Sequence, residues 1–230
     1  MRLMVFAPHP DDDLIGCGGM LIKAVRAGWS VRVVYLTNGE AGGTRVRPEE
    51  LAETRVGEAR AAAGSIGVTD LVFLGQPDGT LRQTPDLLVQ LINQLRIWRP
   101  TTVCAPHRHD AHPDHIATHD VVAQAVASAA GPWFPEAVPQ RWQVPTVLAY
   151  EVWTPIRHVA YLEDITEVYD DKLQALRMHR SQLSSFSYDD LVGGLATYRG
   201  TALGTGRRAE AFEVLRLGGP LITSPGTADR

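Results

Sequence analysis

The stretch APHPDDD places a histidine and three consecutive acids, His9 and Asp11–Asp13, directly after an apolar run. A second block of the same chemical character, HDAHPDH, covers His109–His115. The HxxD spacing of His9 and Asp12 lets an imidazole and a carboxylate turn toward one point across a tight loop. The HxxH spacing of His112 and His115 offers further imidazole. Imidazole nitrogen with carboxylate oxygen suits Zn2+, or another divalent metal, and three protein ligands leave a coordination position for water. Bound zinc lowers that water's pKa and polarises a carbonyl, which is the chemistry of hydrolysis. Another carboxylate beside the metal, such as Asp11, could accept the water's proton.

A simpler explanation exists for the acids alone. A run at a helix N-terminus stabilises by about 0.3–1 kcal/mol per acid. That explains Asp11–Asp13 without a histidine, and it leaves the second histidine–acid block unexplained. Five histidines fall between positions 107 and 119, too many for one ion. His107, His109 and His119 are expected to be supporting, rim or ordinary surface groups.

The elements that must position these residues alternate. Leu3–Ala7 reads as a buried strand ending at Pro8, and Leu14–Ala27 as a helix closed by Gly28. Ser30–Thr37 is strand-like, and Pro48 to about Gly64 is helical with a proline and two glutamates in the first turn. Asp70–Gly75, Thr101–Pro106 and Val144–Trp153 read as further strands, with helices at Pro85–Trp98 and about Pro113–Ala130. Near-continuous apolar strands alternating with helices predict an α/β domain, a Rossmann-like, doubly wound and mostly parallel sheet with helices on both faces. In such sheets ligands bind at the carboxyl ends of the strands. HPDDD, TNGE, QPDG and PHRHDAHPDH each follow a strand, so all four are expected on one rim.

The chain of 230 residues reads as one domain, 1–230. Two segments break the alternation, the Pro/Trp-rich 131–145 and the glycine-rich 187–206, and both are candidate substrate-side loops. Asp170–His179 and Arg208–Arg216 are helix candidates, and the last dozen residues read as a tail. A net charge of −4 gives no general electrostatic reason to bind nucleic acid. No run of 18 apolar residues marks a membrane span. The two cysteines, Cys17 and Cys104, make no disulfide framework. The cytoplasm is the expected location, and a homo-oligomer stays open. GCGG (Gly16–Gly19) is the one hint of a dinucleotide site. It follows three acids that would repel a pyrophosphate, and YLTN (Tyr35–Asn38) lacks the expected acid. Close packing is the better reading of those glycines.

Together, APHPDDD, ETRVGEARAAAGSIGV in the second helix and HDAHPDH resemble the LmbE-like, or PIG-L, family of zinc-dependent N-acetylglucosaminyl deacetylases. KLQALRMHRSQ (Lys172–Gln182) and AEAFEV (Ala209–Val214) look like that family's C-terminal segments. The resemblance implies His9, Asp12 and His115 as metal ligands and Asp11 as general base. It implies His112 as the group that meets the developing oxyanion, with Asp114 orienting its ring. Arg55 and Asp78 would then contact the sugar. Trp133, Trp142 or Trp153 could stack on a sugar or aglycone face. The family block usually reads HPDDE, so Asp13 is a departure, expected to retune the loop modestly. The implied activity is removal of an N-acetyl group from an amino sugar or its glycoside. An amidase acting on thiol-conjugated or other acylated metabolites, and a non-catalytic metal-containing sugar binder, are the alternatives.

Overall fold

Residues Arg2–Ala7 form β1, and Leu3–Ala7 are all 0% exposed, so both faces of this strand are covered. Its side chains alternate between two cores. Leu3, Val5 and Ala7 pack with Leu21 and Ala59 on one side, while Met4 and Phe6 pack with Leu91 and Val122 on the other. The strand's 2-residue period is what divides one apolar run between two layers.

The structure, a computed structural model, describes residues 1–183 and 187–218. After β1 the chain runs α1 (Asp12–Arg26), β2 (Ser30–Thr37), α2 (Pro48–Ser65), β3 (Asp70–Gln76), α3 (Pro85–Trp98), β4 (Thr102–Pro106), α4 (Pro113–Ala129) and β5 (Thr146–Tyr150). It closes with β6 (Tyr161–Asp164), α5 (Tyr169–Leu176), α6 (Tyr188–Gly200) and β7 (Ala209–Arg216). The sheet order is β3-β2-β1-β4-β5-β7-β6. β1 to β5 pair in parallel, and β7 lies antiparallel between β5 and β6. The expected doubly wound, mostly parallel α/β architecture is therefore present. Strand order reverses between β1 and β4, and the crevice at such a switch point is where ligands bind. Among the described residues no helix is long and apolar enough to cross a membrane.

Three expectations need correction. Segment 187–206 is mostly helix α6, capped by Ser187, whose Oγ accepts from the Asp190 N–H at 3.3 Å. Tyr188, Val192 and Ala196 form its buried stripe at helical spacing. The adjacent Gly193 and Gly194 hide that periodicity. Arg208–Arg216 is not a helix: β7 buries Ala209–Phe212 between β5 and β6, and β6 itself was not anticipated. The tail from 219 onward lies outside the described residues.

The third correction concerns 131–145. This segment is a loop, but it joins the end of α4 to the start of β5 and so lies at the amino ends of the parallel strands. Buried Arg96 of α3 pins it there, donating to the carbonyls of Gly131 (2.8 Å), Val138 (2.7 Å) and Trp133 (3.2 Å). The Trp142 indole donates to Pro100 O at 2.8 Å on the same rim. Trp133 and Trp142 are thus removed from the opposite rim, where the histidines gather. Arg96→Met is expected to lower stability by about 2–3 kcal/mol, because several carbonyls lose a charged donor at once. Urea unfolding would show this, with chemistry at the far rim unchanged.

Candidate metal centre and active site

β1 and β4 are hydrogen-bonded neighbours, so the loops that follow them meet. The β1–α1 loop turns sharply at Asp11, whose φ of 131° and ψ of −28° lie where side-chain-bearing residues rarely sit. Its carbonyl accepts from Leu14 N and Ile15 N, starting α1 at once. On the other side, His112 caps α4, its Nδ1 accepting from the Asp114 N–H at 3.2 Å. Pro113 then opens the helix, where a missing N–H costs nothing.

The consequence is a convergence of donor atoms. His9 Nδ1 lies 3.0 Å and His115 Nε2 lies 3.3 Å from the same atom, Asp12 Oδ2. His9, Asp12 and His115 are all buried and offer one ligand atom each within 4.8 Å of one another. Both nitrogens of His115 lack an aligned hydrogen bond although the ring is fully buried. A buried imidazole that lacks aligned hydrogen bonds and faces a carboxylate is a donor suited to a cation, and the donor set of two nitrogens and one oxygen suits zinc. These residues fit a divalent metal.

The surrounding acids complete the fit. His9 Nε2, the nitrogen away from Asp12, faces Asp78 Oδ1 at 2.9 Å and Asp114 Oδ2 at 3.1 Å. His115 Nδ1 faces Asp110 Oδ1 at 3.3 Å. Each imidazole thus has one nitrogen toward Asp12 and the other against a carboxylate, the arrangement that orients metal-binding histidines. The charge excess shows in the proton affinities. Burial disfavours a charged His9, but Asp114, Asp12 and Asp78 outweigh it and hold its pKa well above the ordinary value. His115 is likewise carried up to about 9 against burial, chiefly by Asp12 and Asp110.

Asp11 stands apart from the triad. Its Oδ2 accepts from the Tyr188 hydroxyl at 2.5 Å and pairs with Arg55 Nη2 at 3.3 Å. Burial raises its pKa to about 6, with Arg55 opposing. Asp11, Asp12, His9, His112, Asp78 and Trp153 are among the residues around a cavity of about 220 Å³.

Some expected details differ. The Asp114 carboxylate does not orient the His112 ring. It is drawn the other way, accepting from Gly79 N at 2.7 Å and Leu81 N at 3.0 Å while facing His9. Arg55 lines the cavity, but its Nη groups donate to Gly39 O (3.1 Å) and Pro10 O (2.8 Å). It braces the two loops around Asp11. Asp13 is outside the cavity lining and accepts from the Tyr35 hydroxyl of β2 at 3.0 Å. Burial lifts its pKa to about 7. His107 and His119 are supporting groups, bonded to the carbonyls of Thr154 and Pro106.

Sequence reasoning missed Asp110, Tyr188 and Gln182, the last of which lines the cavity. Asp110 sits inside the quoted HDAHPDH block and also accepts from Trp153 N and Thr154 N, tying that block to the chain after β5. Tyr188 and Gln182 come from the chain after α5, with no local spacing to tie them to the site. Behind Arg55 lies His179, 0% exposed and with neither ring nitrogen bonded. Burial, reinforced by Arg55, depresses its pKa to about 3. The unfolded imidazole takes up a proton as pH falls through 6.5, and the folded one does not until about 3. Stability is therefore lost as pH falls within that window, by roughly 2 kcal/mol between pH 6.5 and 5. Denaturant unfolding of His179→Leu should show a correspondingly flatter dependence than the wild type.

An α/β sheet with a His/Asp cluster at its switch point defines the class. The particular relatives agree with it. The family profile described as PIG-L, GlcNAc-PI de-N-acetylase, matches residues 4–126. The diacetylchitobiose deacetylase of Thermococcus kodakarensis is 31% identical over 190 residues, covering 79% of this chain and 70% of that protein. Several further curated relatives are longer, and the match spans 53% to 63% of their length. Among solved structures, the N,N'-diacetylchitobiose deacetylase of Pyrococcus horikoshii superimposes with a TM-score of 0.84 at 28% identity, covering 93% of this chain and 83% of that one. With the HPDD and HPDH blocks meeting at one point, this places the chain in the PIG-L, or LmbE-like, deacetylase family. The fold alone would not decide the reaction. A 4-carboxy-2-hydroxymuconate hydratase from Pseudomonas putida KT2440 shares it with a TM-score of 0.83 at 22% identity, covering 97% of this chain and 98% of that one.

Proposed function

We propose that this protein is a metal-dependent hydrolase that removes the N-acetyl group from an N-acetylglucosamine-type sugar, its glycoside or a conjugate. The observation that carries the proposal is the position of Asp11. A carboxylate held near neutrality lies beside a His–Asp–His donor set, within one cavity. A sugar-binding protein has no need of a base there.

In this reading His9, Asp12 and His115 hold the ion, with Zn2+ the best match to their atoms. Bound there, the metal would polarise the amide carbonyl and acidify a water. Asp11 would accept a proton from the attacking water as its oxygen adds to the amide carbon, and would return that proton to the nitrogen as the C–N bond breaks, leaving acetate and free amine. Tyr188 and Arg55 hold one of its oxygens, leaving the other for proton transfer. His112 meets the charge on the tetrahedral intermediate. Because its Nδ1 accepts from the Asp114 amide, its Nε2 carries the proton even in the neutral ring, and burial lowers its pKa. A neutral His112 is therefore a competent donor. Asp114 acts through His9, whose Nε2 it fixes together with Asp78. Asp78 keeps lone pairs for a sugar hydroxyl, and Trp153 lines the same cavity.

Tyr188→Phe removes the hydroxyl that donates to Asp11. It is expected to lower kcat about 10-fold, as for loss of one charge-assisted hydrogen bond, with KM and metal content unchanged. Steady-state kinetics with metal analysis would check this.

The proposal is tested by incubating the zinc-loaded protein with N-acetylglucosamine, its glycosides, and acylated or cysteine-bearing conjugates. Released acetate and free amine are measured together. Equal acetate and amine from the amino sugars is expected. Turnover confined to the conjugates would move the protein to the amidase alternative, and sugar binding without turnover to the non-catalytic one.

A further inference from the structure

The GCGG stretch lies within α1, and the catalytic reading leaves it unused. The structure places a break in α1 there. Cys17 has φ −145° and ψ 26°, outside helical geometry, so a short leading turn carrying Asp12 is separated from the rest of the helix. In an unbroken helix the Gly19 N–H donates to the Ile15 carbonyl. Here the Ile15 carbonyl accepts from Lys172 Nζ at 2.8 Å. The Gly19 and Met20 N–H groups donate to Glu210 Oε1 and Oε2 at 2.6 and 2.9 Å. Lys172 and Glu210 are themselves joined at 2.7 Å and are 1% and 4% exposed.

An ion pair thus bridges the break, with each charge matched to the helix end it meets. The ammonium faces the carbonyl end of the leading turn, and the carboxylate faces the amide end of the trailing helix. The glycines permit the approach. A Cβ on Gly19 would lie 2.3 Å from Ile165 Cγ2, and one on Gly18 would lie 3.2 Å from Lys172 Cγ. Lys172 comes from α5 and Glu210 from β7, so two late elements grip the first helix of the chain.

We propose that Lys172 and Glu210 are positioning residues for the metal-binding turn. By holding the leading turn of α1 they fix Asp12, and with it Asp11, relative to His115 on α4, and so set metal affinity. Neither residue lines the cavity, so the effect acts through the backbone. This rests on the metal reading proposed above.

The test is the double variant K172M/E210Q, which removes the bridge without leaving an unpaired buried charge. Zinc Kd is measured by chelator competition, and amide exchange is followed in the metal-free protein. The expected result is a rise in Kd on the order of 10-fold, typical of disturbing groups behind metal ligands. Amide exchange at Gly19 and Met20 should accelerate as well. Leu91→Ala, in the core on the opposite face, should lower Tm while leaving Kd unchanged. Should the double variant not fold, Glu210→Asp keeps the charge, withdraws the carboxylate and supplies the same readouts. A folded variant with wild-type Kd, or with unchanged exchange at Gly19 and Met20, would overturn the positioning role. Failure of the wild type to bind zinc would instead contradict the metal reading, and the exchange measurement would still decide whether the pair holds α1.

Discussion

Asp11→Asn is expected to lower kcat by about 10²–10⁴, the usual contribution of a positioned general base. Zinc affinity should stay close to the wild type. The separation of the two effects follows from geometry. Asp12 Oδ2, not Asp11, is the atom on which His9 Nδ1 and His115 Nε2 converge. Asparagine is the informative replacement because the backbone at position 11 sits at φ 131°, and asparagine is among the side-chain-bearing residues best able to adopt positive φ. Its amide oxygen can still accept from the Tyr188 hydroxyl. What it loses is basicity, together with the ion pair to Arg55. Paired measurement of single-turnover rate and bound zinc would check the prediction. Near wild-type turnover would remove Asp11 from the mechanism.

The second large effect is expected at His115. His115→Ala removes one of the three donors that converge in the His9–Asp12–His115 set. Bound metal at micromolar zinc should fall to background, with activity lost in parallel. Asp110→Asn is the graded comparison, since Asp110 faces the other nitrogen of the same ring and an asparagine oxygen can still accept from Trp153 N and Thr154 N. Disturbing such a group costs about 10–100-fold in metal affinity or activity. Asp110→Asn should therefore retain metal at higher zinc, where His115→Ala does not. Elemental analysis over a zinc titration separates them, and equal metal retention in both would refute the ligand assignment.

The strands and helices that carry the site were legible because their signals are local. Apolar runs ending in HPDDD and PHRHDAHPDH place both blocks on one rim, and the adjacency of β1 and β4 does the rest. The C-terminal third was less legible. Gly193 and Gly194 disguise α6, whose stripe of Tyr188, Val192 and Ala196 becomes evident only against its neighbours. β7 was misread because a strand between two others buries both faces at Ala209–Phe212 and so loses its alternation. Within the site, the grouping of His9, Asp12 and His115 was readable from spacing and resemblance. The direction of the Asp114 carboxylate was not, because it is decided by the distant amides of Gly79 and Leu81. Tyr188 reaches Asp11 across 177 positions of sequence, and no motif spans that distance. The tryptophans make the same point. Trp133 and Trp142 are held at the amino rim by contacts that composition does not reveal, leaving Trp153 at the cavity.

The most direct measurement is a titration of zinc into metal-free protein while acetate release from an N-acetylglucosamine glycoside is followed. Acetate release is expected to rise from background in proportion to bound zinc and to level off near one equivalent per chain, with free amine appearing in equal amount. Full turnover without metal, or a zinc-saturated protein that binds the glycoside and releases neither acetate nor amine, would contradict it.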